Sequence, residues 1–152
     1  MSVDFGCIAW HEDGRWSATT LASTRDIGAI IDALKAQQTN GGAIGLIAIE
    51  DEFVIIARAL GDQMQMMISD ITYALDYEVA AELVEVLDLE FPEEEDESQP
   101  GGDLDLLNDL GVSEMELLTI LDDSELYPDE QLEAIANRLG FGDQFNQVIE
   151  SN

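Results

Sequence analysis

The alternation of apolar and polar positions divides the chain into stretches of different rhythm. Near the start, VDFGCIAW and RWSATTLA flank HEDG, where Asp13-Gly14 suits a primed hairpin turn because both residues tolerate positive φ. Ser23-Thr24-Arg25-Asp26 then opens a helix, in which a hydroxyl caps free amides and Asp26 complements the N-terminal dipole. Ile27, Ile30, Ile31 and Leu34 fall on one helical face, and Asn40-Gly41-Gly42 ends it. AIGLIAI, FVIIARAL and MQMMIS read as three strands whose short connections, containing DE and GD, make them antiparallel hairpins. AIGLIAI shows no polar alternation, which predicts a central strand covered on both faces. Ser69 is placed to cap a short helical turn, and DYEVAAELVEVLD continues as a helix with Val79, Leu83, Val86 and Leu87 as its apolar stripe.

The order ββαβββα predicts an α+β domain over residues 1–90, with an antiparallel sheet of about five strands and flanking helices. Longin, roadblock and profilin-like domains share that order, a likeness of topology that licenses no function. The rhythm stops at FPEEEDESQPGGD. Residues 91–103 hold no aliphatic side chain, two prolines and a Gly-Gly pair, which predicts an extended, mobile acidic linker. Residues 104–150 read as a small all-α unit of four short helices. Leu104, Leu107 and Leu110 sit at helical spacing, Ser113 and Glu116 fit a capping box before Leu117, Leu118 and Leu121, and Pro128 suits a first turn. Leu132, Ile135, Ala136 and Leu139 form the next stripe, Gly140 stops that helix, and Phe141, Phe145, Val148 and Ile149 continue the apolar pattern. So small a core is marginal alone, so this unit is expected to lean on the sheet or on a second copy of the chain.

Charge changes the picture of what such a fold meets. The 152 residues carry 34 acids against five bases, a formal net charge of −29. The excess is spread along the chain: 16 acids and four bases in residues 1–90, six acids and no base in 91–103, 12 acids and one base in 104–152. Such a field repels nucleic-acid phosphates and anionic membrane surfaces, and steers basic partners over a screening length of about 8 Å at physiological salt. The same acidity also serves solubility. Cys7 has no second cysteine to pair with, the N-terminus lacks a basic segment followed by an apolar one, and no apolar run approaches a membrane span. A cytoplasmic location is expected.

Tests for chemistry fail in turn. Trp10-His11-Glu12-Asp13 resembles the His-x-Glu of a zinc deaminase, but Asp13 stands where Glu is needed and the paired cysteines are missing. The acidic stretches beginning at Asp103 and Asp123 break the calcium-loop pattern at the fifth ligand position, Leu107 and Tyr127 respectively. Neither a phosphate loop nor a nucleophile elbow occurs, and carboxylate pairs are too common to signal glycoside hydrolysis. Arg15, Arg25 and Arg58 read most simply as neutralising neighbouring acids. The chain reads as a protein without catalytic residues, cofactor or metal.

HEDGRW, GGAIGLIAIEDEF, ISDITYALDYEVAAEL, the acidic linker and GDLDLLNDLGVSEMELLTIL with PDEQLEAIANRLGFGDQF resemble, in order and over nearly the whole chain, an actinobacterial family. Its members are acidic proteins associated with tRNA adenosine deaminase. The resemblance implies a partner rather than a reaction, because the shared motifs are structural. Joined to the charge, it favours a non-catalytic binding protein, an adaptor or regulator of a basic tRNA-modifying enzyme. The candidate contact residues are Leu139, Phe141 and Phe145 in LGFGDQF, with Glu93, Glu94, Glu95 and Asp96 of the linker. Two other readings are a nucleic-acid mimic that blocks basic proteins generally, and a structural module that homodimerises through a sheet edge or helix face.

Overall fold

The computed structural model describes residues 4–123 and 125–151. Strands β1 (Phe5–Glu12) and β2 (Arg15–Thr20) form the first hairpin, with Asp13 at φ 53° and Gly14 at φ 78° in its turn, as the Asp-Gly pair requires. Val3, the first residue of the predicted strand, lies outside the described residues. Helix α1 (Ile27–Gln37) follows, capped by Asp26, whose Oδ1 accepts from Ala29 N at 3.1 Å; Asp26 thus both caps the helix and complements its dipole. Strands β3 (Ala43–Ile49), β4 (Phe53–Leu60) and β5 (Gln63–Ile68) are antiparallel neighbours, and every residue of β3 is buried.

After β5, Asp70 rather than Ser69 caps the short 3-10 turn Ile71–Leu75, while Ser69 Oγ accepts the amide of Val54 at 3.0 Å. Helix α2 (Glu78–Val86) buries Val79, Ala80, Leu83 and Val84. The stripe is rotated from the expected one, and Val86 is 53% exposed. Ala80 and Val84 lie in the same buried cluster as Val79 and Leu83, so the alanine side, invisible to a search for large apolar residues, is part of the buried side.

A sixth strand corrects the predicted count of about five. Gly101–Gly102 forms β6, pairing with Met67 and Ile68 to give the order β2-β1-β3-β4-β5-β6. Asp103 extends the seam, its N–H donating to Met66 O at 2.8 Å and its carboxylate accepting from Met66 N at 3.0 Å. Only glycine suits Gly102, whose φ is +103° and where a Cβ would stand 2.5 Å from Met66 O. Residues 104–110, expected as a helix, yield consecutive turns and only the 3-10 turn Asn108–Leu110, with bonds three residues apart such as Asn108 N to Asp105 O and Leu110 N to Leu107 O, before Gly111 at φ 97° ends it. Helices α3 (Glu114–Leu121), α4 (Pro128–Leu139) and α5 (Gly142–Ser151) complete the chain.

The sheet separates two apolar layers. Ile8, Ile47, Ile55, Ala57 and Ile68 pack against α1 and α2. The opposite face, with Cys7, Ile44, Leu46, Val54, Ile56 and Met67, is covered by Leu106, Leu117, Leu132, Ile135, Phe141 and Phe145. The C-terminal helices therefore lean on the sheet and share its core.

Candidate functional site

Each predicted contact residue has a definite place. Phe141 and Phe145 are fully buried. Phe141 packs on Trp16 of β2 with ring centroids 4.8 Å apart, and Phe145 meets Phe5 of β1 edge-on at 5.3 Å. Leu139 is partly buried against the same layer. These rings join the C-terminal helices to the first hairpin and offer no surface to a partner. Glu93, Glu94, Glu95 and Asp96 are exposed, in a turn closed by Glu93 N donating to Asp96 Oδ2 at 2.8 Å. The run is pinned on either side. Pro92 is buried, Ser98 Oγ donates to Asp70 Oδ2 at 2.6 Å, and Ile71 N donates to Gln99 O at 2.8 Å. The expected extended tether is thus a short acidic turn that leads into a sheet edge.

The basic residues are dispersed. Arg25 pairs with Asp4 at 2.7 Å and Glu50 at 2.9 Å, and its hydrogen bond holds the Asp4 carboxyl below the usual carboxylate range. Arg58, on the sheet face under the C-terminal helices, is only 3% exposed. It pairs with Asp109, donates to Leu106 O at 3.1 Å, and leaves its own buried Nε–H without an acceptor. Arg138 bonds Glu116 at 2.5 Å and Gly111 O at 3.0 Å. Cys7 and His11 lie four residues apart on one extended strand, a separation of roughly 13 Å that prevents them from sharing a metal ion. Burial pushes the Cys7 thiol up to about 12.

The sequence reading missed a groove beside α3. It has a volume of about 730 Å³ and lies between that helix and residues 98–100, with Ser69 also contributing. Met115, Leu118, Leu121 and Pro100 supply its apolar lining; Glu114, Asp122 and Asp123 supply carboxylates. Its walls are fixed: Ser113 Oγ caps α3 by accepting from Glu116 N at 3.1 Å, Gln131 Nε2 holds Leu121 O at 3.1 Å, and Asp70 anchors Ser98 opposite. Met115 is 80% exposed. A signal was present in EMELLTIL, whose apolar residues occupy positions 115, 117, 118, 120 and 121, more than one face of a surface helix needs.

Fold and groove together define an acidic α+β protein, built of one sheet between two helical layers and indented by a carboxylate-rimmed, partly apolar groove. The chain belongs to the Rv3753c-like tRNA adenosine deaminase-associated protein family, whose model matches residues 4–142. It is 38% identical over 151 residues to Protein Rv3753c of Mycobacterium tuberculosis (strain ATCC 25618 / H37Rv), a match spanning 96% of this chain and 87% of that protein. No solved structure matches it. The family's description is of a protein associated with the deaminase, not of the deaminase itself.

Proposed function

We propose that this chain is a non-catalytic acidic binding protein of the cytoplasm, an adaptor or regulator of a basic tRNA-modifying enzyme, with tRNA adenosine deaminase as the partner. The carrying observation is the net charge of −29, spread over the whole chain, in a member of a deaminase-associated family. An enzyme that grips tRNA must present a positive surface to phosphate, and an anionic protein competes for that surface or tunes access to it. The test is gel filtration of the chain with the tRNA adenosine deaminase of the same organism at about 0.05 M and about 0.5 M salt, conditions under which surface attraction is first long-ranged and then screened. Co-elution at low salt that is lost at high salt is expected. Separate elution at both salts removes the deaminase as partner, and equal capture of unrelated basic proteins favours the nucleic-acid mimic.

A further inference from the structure

We propose that the groove beside α3 is the docking site for a protein segment that presents apolar side chains flanked by lysine or arginine. The inference rests on reading the chain as a binder of a basic partner and identifies the surface that does the binding. Three observations converge on that occupant. Met115 projects from a capped helix at 80% exposure, with Leu118 and Leu121 part-exposed behind it and Pro100 across the gap. Methionine is polarizable and unbranched, so it moulds itself to an inserted apolar side chain.

The rim of the groove is acidic. Glu114 stands at one end of the groove and Asp122 and Asp123 at the other, while no lysine or arginine lines it. Asp122 and Asp123 sit at and beyond the C-terminus of α3, whose last turn holds no basic residue. The carbonyl end of a helix is already negative, so acids there are held against the dipole and a cation brought to them relieves both. The same charge excludes other occupants. Phosphate-rich nucleic acid is repelled by these carboxylates, and a second copy of the chain brings another −29.

Binding of a synthetic peptide alternating Leu-Leu with Lys-Lys pairs tests this on the full chain, read by NMR of labelled methionine methyls. A control peptide carries Ala for every Leu at unchanged charge. Met115 should shift saturably with the leucine peptide and little with the control, while the buried methyls of Met66 and Met67 stay still. Met115→Glu separates the two forces by sign. It removes the apolar anchor but adds a carboxylate, so groove docking predicts binding weakened about tenfold, the loss typical of an interface anchor. Unchanged or tighter binding shows attraction by charge alone and overturns the proposal. Met115→Gln, which adds no charge, should weaken binding as well. The deaminase arm keeps the two readings apart. If the deaminase co-elutes equally with parent and Met115→Glu, the groove is not its docking site although the partnership stands. If the deaminase never co-elutes but the peptide seats at Met115, the groove stands and the partner is another basic protein.

Discussion

Arg58 is the only charged side chain buried among the described residues, and its anion comes from a different part of the chain. The bond from Arg58 holds the Asp109 carboxyl below the usual carboxylate range. Because that pKa is depressed on folding, the pair stabilises the protein above the unfolded value of about 4, and the contribution is lost as pH falls through the lower, folded value. Asp109→Asn leaves the guanidinium inside without its counter-charge, and urea unfolding at neutral pH should register a loss of about 1 kcal/mol, well below the range for fully enclosed pairs because the Asp109 side chain is 59% exposed and solvent screens it. The difference between the two proteins should narrow on acidification. Cys7 gives a second prediction at this scale: a thiol held neutral by burial should resist alkylation in the native protein and react only as denaturant opens the sheet. FVIIARAL showed that Arg58 interrupts an apolar strand, but nothing local announces which distant acid meets it.

Among the elements, those with a period of their own were legible. The Asp13-Gly14 turn, the continuous apolar run of β3 and the stripe of α1 each declare themselves within a few residues. β6 does not, because two glycines carry no periodicity and their strand character comes entirely from the β5 edge they meet. Leu104, Leu107 and Leu110 misled for a related reason. Leucines at helical spacing satisfy the pattern, yet in the structure Leu107 fills the sheet-facing core from a turn. Gly102→Ala tests the seam. The added methyl clashes with Met66 O and the positive φ is lost, at a cost of ~2 kcal/mol. Limited proteolysis should then cut near Gln99 and hydrogen exchange should quicken at the Ile71 amide, while amides of β3 remain protected.

Over the molecule as a whole, two long-range terms oppose each other. A charge of −29 on one chain repels itself, and the repulsion weakens as ions shorten the screening length. Added salt should therefore raise the melting temperature by several degrees, measured calorimetrically. Holding the sheet together against that repulsion is an apolar layer on each face. The division into a sheet domain, a linker and a helical unit followed composition, which changes abruptly at Phe91; the packing does not follow it. A chain ending before Leu104 should expose Ile44, Leu46, Val54, Ile56 and Met67, bind a hydrophobic dye and aggregate. A well-folded, monomeric fragment would show that the sheet needs no cover. Composition reports solvent exposure residue by residue, so the marginal helical core announced that it needed cover, whereas which sheet face supplies it and where the groove opens are set by topology and escaped the sequence.

That second apolar layer has a consequence for how the protein is made. β5 leaves the ribosome well before α5, and at about 5–20 residues per second the intervening stretch takes roughly 4–15 s to emerge. Over that interval a nearly complete sheet waits for its second cover, which arrives piecemeal as Leu106, Leu117, Leu132 and Ile135 follow. Nine acids against four bases precede the end of β5, so charge repulsion between nascent chains on one message is weak when the sheet forms and grows as the acidic turn and the C-terminal helices follow.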